Sequence, residues 1–130
     1  MMKNNNSGSD IKDYEVIIVG ASFAGLAVAS QLRKKRVLLL DRKPIGTAKT
    51  SACGTPLRTL ETLGLEGTVL QVHDEIIVHT PGRNFTYSLS EPFCTFDYFG
   101  LCQHLWQQSD AEFVQASAPD LLPGLSLIHY

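Results

Sequence analysis

The sequence has few of the features that mark membrane, secreted and polyanion-binding proteins. Charged residues make up 18% of the 130 residues, and the 11 basic and 13 acidic side chains nearly balance, so the overall charge does not favour nucleic acid as a partner. The longest apolar runs fall far short of the ~20 residues that cross a bilayer, and no transmembrane segment is predicted. The cysteines Cys53, Cys94 and Cys102 follow no secretory leader, which favours a reducing cytoplasm.

Metal ligands in a useful arrangement are also lacking. Neither the three cysteines nor the four histidines have the spacing of a metal site, so no metal is predicted. Hydrophobic residues, by contrast, make up 44% of the chain, which is enough for a globular core. The length corresponds to one modest domain. The histidines are His73, His79, His104 and His129.

The chain divides into three segments by composition. Residues 1–12 are polar and rich in Asn and Ser, which predicts a disordered tail. Residues 13–117 carry the periodic patterns of strands and helices. Residues 118–130 combine two prolines with apolar residues in no regular period, which predicts an irregular tail.

The patterns in the central segment predict an α/β fold. Continuous β-branched and apolar runs are typical of buried parallel strands, and a helical pattern separates the first two of them, as in a βαβ unit. Thr55 and Pro56 predict the cap and first turn of a short helix. Pro81-Gly82 suits a type II turn between two strands, which predicts a β-hairpin, and Asp97 can cap a later helix. The expected fold is therefore a partial parallel sheet, with strands at 15–19, 37–41 and 112–116 and a first helix at 23–34, and a β-hairpin insertion.

The segment Gly20-Ala21-Ser22-Phe23-Ala24-Gly25 lies between the first strand and its helix and predicts a dinucleotide site. Gly20 permits a tight turn, Gly25 permits close contact between helix and strand, and the helix N-terminus attracts a pyrophosphate. Asp41 ends the second strand 21 positions after Gly20, close to the ~20-residue offset of an acid that binds a ribose hydroxyl.

These residues resemble the Rossmann-like FAD/NAD(P)-binding domain of glutathione-reductase-type flavin-dependent oxidoreductases. DYEVIIVGASFAGLAVASQL is similar to the GxGxxGxxxA opening of that family, with Ser22 in place of the middle glycine, and RVLLLDRK resembles its second strand. KPIGTAKTSACG is similar to a stretch of geranylgeranyl reductase-like flavoproteins in which a Cys-Gly pair follows that strand. The order of the later elements also resembles class A flavin monooxygenases.

The resemblance implies FAD as the cofactor. By the same resemblance the FAD-binding residues are Gly20, Ser22, Phe23, Ala24, Gly25, Asp41, Arg42, Cys53 and Gly54. Arg42 lies over the adenine edge or projects to solvent, and Cys53 lies beside the flavin or is an ordinary loop cysteine. These possibilities stay open. No catalytic residue is assigned.

Three functions remain open on the sequence alone. Cys53-Gly54 favours a reductase acting on an isoprenoid or related substrate, and the alternatives are a class A flavin monooxygenase and a non-catalytic or vestigial dinucleotide-binding module. NAD(P)H is the electron donor that the resemblance implies for a full-length relative. Because the family has a second FAD motif and a substrate domain beyond position 130, the sequence is expected to be an amino-terminal fragment that is inactive alone.

Overall fold

The computed structural model describes residues 13–48 and 51–121, apart from the side chain of Leu121. The predicted tail at residues 1–12 and residues 122–130 of the predicted irregular tail lie outside the described residues. The elements in chain order are β1 (Val16–Val19), α1 (Phe23–Gln31), β2 (Val37–Asp41), β3 (Gly54–Pro56), α2 (Leu57–Thr62), a 3₁₀ turn (Glu66–Thr68), β4 (Val69–His79), β5 (Asn84–Phe96), α3 (Tyr98–Gln107), β6 (Glu112–Gln115) and α4 (Ala118–Leu121).

The chain forms two compact units. Of the described residues, 13–48 and 102–121 form the first, here called the parallel-sheet unit, and 51–101 form the second, called the antiparallel-sheet unit. Each unit holds one three-stranded sheet, with strand order β1-β2-β6 in the first and β3-β5-β4 in the second. The predicted α/β fold with a partial parallel sheet and a β-hairpin is confirmed.

The parallel sheet is built around β2. Val16 pairs with Val37 on one side of β2, and Leu38 pairs with Glu112 on the other, both in parallel register. All four residues from Val37 to Leu40 are buried, which explains why this run is wholly apolar. The three predicted parallel strands are therefore confirmed, with bounds that differ by at most one residue.

Helix α1 ends at Gln31, three residues earlier than the sequence pattern predicts. The N–H of Leu32 donates to the carbonyl of Ala29, and the N–H of Lys35 donates to the carbonyl of Leu32. These i to i−3 bonds tighten the backbone into turns, because the chain must reverse before it enters β2. Arg33 Nε also donates to the carbonyl of Ser30, which satisfies an acceptor at the helix end.

The predicted hairpin forms, but its strands are longer than expected and its turn differs. β4 and β5 are 11 and 13 residues long. Gly82 does not have the positive φ that the second central position of a type II turn requires, so that turn assignment is wrong. The turn is held instead by Thr80, whose backbone N–H and side-chain hydroxyl both donate to the carbonyl of Arg83.

Thr55 and Pro56 do not open a helix as the sequence predicts. They lie in β3, where Thr55 pairs with Cys94 and Pro56 with Phe93 of β5, and α2 begins only at Leu57. The reason is tertiary, because the pairing strand comes about 40 residues later. Pro56 is compatible with this position since β3 is an edge strand.

Two local features follow β5 in the chain. Asp97 caps α3 as predicted, since its Oδ2 accepts from the N–H of Gly100 at 3.1 Å. The apolar face of this helix, formed by Tyr98, Leu101, Cys102 and Leu105, is buried. At the end of the described chain, Ala118–Leu121 form one helical turn, whereas the sequence predicts irregular structure there.

Candidate dinucleotide site

The turn after β1 brings the chain from the sheet directly into α1. Gly20 has a φ of +109°, a conformation that favours glycine, and its N–H donates to the carbonyl of Leu40 at 2.7 Å. Ser22 is the N-cap of α1 and has an extended backbone. Its carbonyl accepts the first helical hydrogen bond, from Leu26 at 3.0 Å. The N-terminus of α1 therefore lies at the carboxyl end of the sheet, where ligands of such folds bind.

Gly25 allows α1 to lie against this turn. A Cβ at Gly25 would overlap the carbonyl oxygen of Gly20 and lie 3.3 Å from Cγ2 of Ile18. No side chain therefore fits at this position without moving the backbone. The predicted reason for a glycine here, close packing of helix against strand, agrees with this geometry.

Asp41 connects the end of β2 to the turn after β1. Its Oδ2 accepts from the N–H of Ala21 at 2.7 Å, and its Oδ1 accepts from the N–H of Lys43 at 3.0 Å. The carboxylate is thereby fixed beside the glycine turn. Each oxygen retains a further lone pair, so both can still accept from a ribose hydroxyl.

The electrostatics at the start of α1 suit an anion. Helix N-termini carry unsatisfied N–H groups and about half a positive charge. Many helices neutralise that charge with an acidic residue, but the first turn of α1 has none. Phe23 and Ala24, which begin the helix, are exposed, and Ser22 is half-buried. A pyrophosphate can therefore approach these backbone groups.

A cavity of about 390 Å³ lies beside Asp41 at the carboxyl ends of β1, β2 and β6. Four residues on its far side, Ala116 to Pro119, were not predicted from the sequence. They come from the segment after β6 and from the start of α4, and no motif marks them. The lining is Val19, Gly20, Leu40, Asp41, Arg42, Ala116, Ser117, Ala118 and Pro119.

Arg42 is an exposed residue whose backbone is tied to β6. Gln115 donates from Nε2 to the carbonyl of Arg42 at 3.1 Å, and the N–H of Ala116 donates to the carbonyl of Asp41 at 2.9 Å. These two bonds hold the segment after β2 beside β6. Gln115 is thus a residue of the site's framework that sequence reasoning missed.

The remaining predicted residues, Cys53 and Gly54, belong to the antiparallel-sheet unit. Cys53 has a φ of +56°, and its N–H donates to Ser51 Oγ at 3.0 Å. A Cβ on Gly54 would be 2.7 Å from the ring of Phe93, so glycine leaves room for that ring. The structure therefore brings together the residues from Gly20 to Gly25 with Asp41 and Arg42, whereas Cys53 and Gly54 are described only within their own unit.

The arrangement fits the adenosine diphosphate half of a dinucleotide. Pyrophosphate binds where a glycine turn leads into a helix N-terminus without an acidic residue, as after Gly20. Ribose binds a fixed carboxylate such as that of Asp41. Fold and site together define a dinucleotide-binding domain of the Rossmann type. A model of the FAD binding domain family matches residues 13–117, and the chain belongs to this family. The expected cofactor, FAD, is thereby confirmed.

Solved protein structures share the fold. PqsL of P. aeruginosa in complex with 2-aminobenzoylacetate is 22% identical, with a TM-score of 0.63 over 78% of this chain and 33% of its own. A geranylgeranyl bacteriochlorophyll reductase-like protein of Thermoplasma acidophilum is 16% identical, with a TM-score of 0.63 over 77% and 29%. The flavin-dependent brominase Bmp2 is 14% identical, with a TM-score of 0.59 over 78% and 29%. The chain thus spans about a third of these structures.

No curated protein gives a significant match to the chain. Among the described residues, no group of three or more His, Cys, Asp or Glu side chains could hold a metal ion. The helices in residues 13–48 and 51–121 are all too short or too polar to cross a membrane.

Proposed function

We propose that the residues from Gly20 to Gly25, together with Asp41 and Arg42, bind the adenosine diphosphate half of FAD. The bond from the N–H of Ala21 to Asp41 Oδ2 carries this proposal. This bond places the Asp41 carboxylate next to the turn that leads into α1. The groups proposed to bind the ribose and the pyrophosphate are therefore adjacent.

Each part of the site has a separate task in this proposal. The N–H groups at the start of α1, from Ser22 to Ala24, donate to the pyrophosphate. Asp41 accepts from the ribose hydroxyls. The adenine ring enters the cavity between Arg42 and the segment from Ala116 to Pro119, which supports the position of Arg42 over the adenine edge.

The whole protein is proposed to be a flavin-dependent oxidoreductase of the reductase type, acting on an isoprenoid or related substrate. The likeness to the geranylgeranyl bacteriochlorophyll reductase-like protein and the Cys53-Gly54 pair support it. FAD supplies the electron transfer, and the residues of the site bind and orient it. NAD(P)H is the proposed electron donor, and a cytoplasmic location stays a prediction. Cys53 and Gly54 are proposed to contact the cofactor.

A class A flavin monooxygenase is the second candidate. The flavin-dependent brominase shows the same fold over the same share of the chain, so the fold itself does not favour the reductase. A non-catalytic dinucleotide-binding module is the third. FAD bound in the manner proposed here is common to all three.

A competition experiment tests the binding mode. FAD and ADP share the adenosine diphosphate half, whereas FMN lacks it. We expect the purified chain to bind FAD, measured by the change in flavin fluorescence, and ADP to displace it. FMN should bind at least tenfold more weakly. Equal binding of FMN and FAD, or failure of ADP to compete, would contradict the proposal.

The ribose contact is tested by an analogue and a variant together. Wild type should bind ADP about tenfold more tightly than 2′-deoxy-ADP, since a hydrogen bond to a charged group contributes about 1.5–3 kcal/mol. Asp41→Ala should bind the two ligands equally. Asp110→Ala is the control, because Asp110 is an exposed acid outside the site in the same unit. If Asp41→Ala loses affinity for ADP but still prefers it over the deoxy analogue, the acid only supports the turn.

A further inference from the structure

The regular part of β4 is an exposed sheet edge with an unusual composition. Residues Glu75 to His79 pair continuously with Ser88 to Asn84 of β5, beyond a register irregularity between His73 and Glu75. The three residues between Glu75 and His79, namely Ile76, Ile77 and Val78, are all β-branched and are 49%, 48% and 43% exposed. The whole of β4 has no Lys, Arg or Pro, the residues that commonly protect an edge.

The hydrogen-bonding groups of this edge can be assigned from the hairpin turn. The N–H of Thr80 donates to Arg83, so Thr80 is bonded toward β5. In an antiparallel pair the residues alternate between bonding toward the neighbouring strand and away from it. The N–H and C=O groups of Glu75, Ile77 and His79 therefore point away from β5, and β4 is the outer strand of its sheet.

We propose that a second copy of this chain pairs with β4 in antiparallel register about a two-fold axis at Ile77. The five-residue stretch is self-complementary in this register. Ile77 lies opposite Ile77 of the second copy, and Ile76 lies opposite Val78. Glu75 lies opposite His79, which puts an acid beside a base. The residues paired across the axis at 75, 77 and 79 are the same ones whose backbone groups point outward.

Other ways of pairing this edge do not combine outward-pointing backbone groups with an acid opposite a base. An in-register parallel pair would put Glu75 opposite Glu75 and His79 opposite His79. An antiparallel pair centred on Ile76 would use a residue whose backbone groups already bond to β5. The outer edge of β5 from Asn84 to Ser88 is also open, because β3 pairs only with Phe93 to Thr95, but this edge has no acid and base to pair.

The mass of the chain in solution tests the pairing. We expect light scattering during size exclusion to give twice the 14.3 kDa chain mass at high concentration and the single mass on dilution. Ile77→Lys should weaken the dimer at least tenfold, because two ammonium groups would meet at the axis. Thr86→Lys is the matched control. Thr86 is the direct partner of Ile77 across the hairpin, so the same charge is added to the same sheet face on the other edge.

A cross-link tests the register itself. Residues opposite each other in a hydrogen-bonded antiparallel pair have Cα atoms about 5.5 Å apart, which is within the range of a disulfide. Ile77→Cys should therefore form a disulfide-linked dimer on mild oxidation, above the background of the wild-type cysteines, and Thr86→Cys should not.

The outcomes separate pairing through β4 from other association. A monomer at all concentrations would overturn the proposal. So would a dimer that Thr86→Lys weakens as much as Ile77→Lys, or one in which Thr86→Cys cross-links in place of Ile77→Cys. FAD binding should be equal in the wild type and in both lysine variants, because the pairing does not depend on the proposed function.

Discussion

The two units use apolar residues in opposite ways. In the parallel-sheet unit, Leu38, Leu39 and Leu40 of β2 are at most 2% exposed, and since successive side chains point to opposite faces of a sheet, both faces of β2 are covered. In the antiparallel-sheet unit, the apolar residues of β4 are largely exposed, with Leu70 at 69%. Apolar composition alone therefore does not indicate burial. Whether the faces of a sheet are covered decides whether the same kind of residue stabilises the fold or forms a surface.

The largest difference in the free energy of unfolding should appear when one leucine is truncated in each unit. Leu39→Ala removes a fully buried side chain from β2 and should lower the free energy of unfolding by about 3 kcal/mol. Leu70→Ala should change it by no more than about 0.5 kcal/mol, because Leu70 is exposed. Urea denaturation followed by circular dichroism measures both. Similar losses for the two variants would mean that β4 is covered in solution at Leu70.

A smaller change in the free energy of unfolding is expected at Gly25, which allows α1 to lie close to the turn after β1. Alanine is a better helix former than glycine by about 1 kcal/mol, but the added Cβ at Gly25 would overlap the carbonyl oxygen of Gly20. We expect Gly25→Ala to be destabilising by about 2 kcal/mol net, as overpacking typically costs about 1–3 kcal/mol. Val28→Ala is the control, since Val28 lies in the same helix and its side chain is 52% exposed. The fluorescence of Trp106, the single tryptophan, reports unfolding of the parallel-sheet unit.

The smallest change in stability is expected for the exposed contacts of Glu15 in the parallel-sheet unit. The N–H of Arg36 bonds to the Glu15 carboxylate and Lys35 lies 3.0 Å from it, and these contacts lower the pKa of Glu15 below its usual 4.5. Because the folded state favours the charged form, the contacts stabilise the fold fully above pH 4.5. The contribution is lost as the pH falls through the lowered pKa. Glu15→Gln should therefore be slightly less stable than wild type at pH 7, and thermal melts should show the difference vanishing at low pH.

The sequence predicted most of the parallel-sheet unit because its signals are local and buried. Continuous apolar runs located β1 and β2, and the glycines and Asp41 at strand ends located the turn. Prediction failed where a distant partner decided the structure. Thr55 and Pro56 have the local pattern of a helix start, yet pairing with β5 makes them a strand.

The candidate site was predictable only in part. The residues from Gly20 to Gly25, with Asp41, form a motif whose spacing follows from a strand, a turn and a helix. The segment from Ala116 to Pro119 and the bond from Gln115 to Arg42 have no such pattern. They join the site because β6 pairs with β2, about 75 residues apart in the chain.

The sequence by itself determined the βαβ unit, the glycine turn and the acid of the FAD-binding family, because each depends on residues that are near one another in the chain. The tertiary structure decided which side chains line the cavity beside Asp41, where α1 ends, and which apolar strand remains exposed. These depend on the pairing of strands that are far apart in sequence, and the register of that pairing is set by burial and hydrogen bonding across the whole sheet.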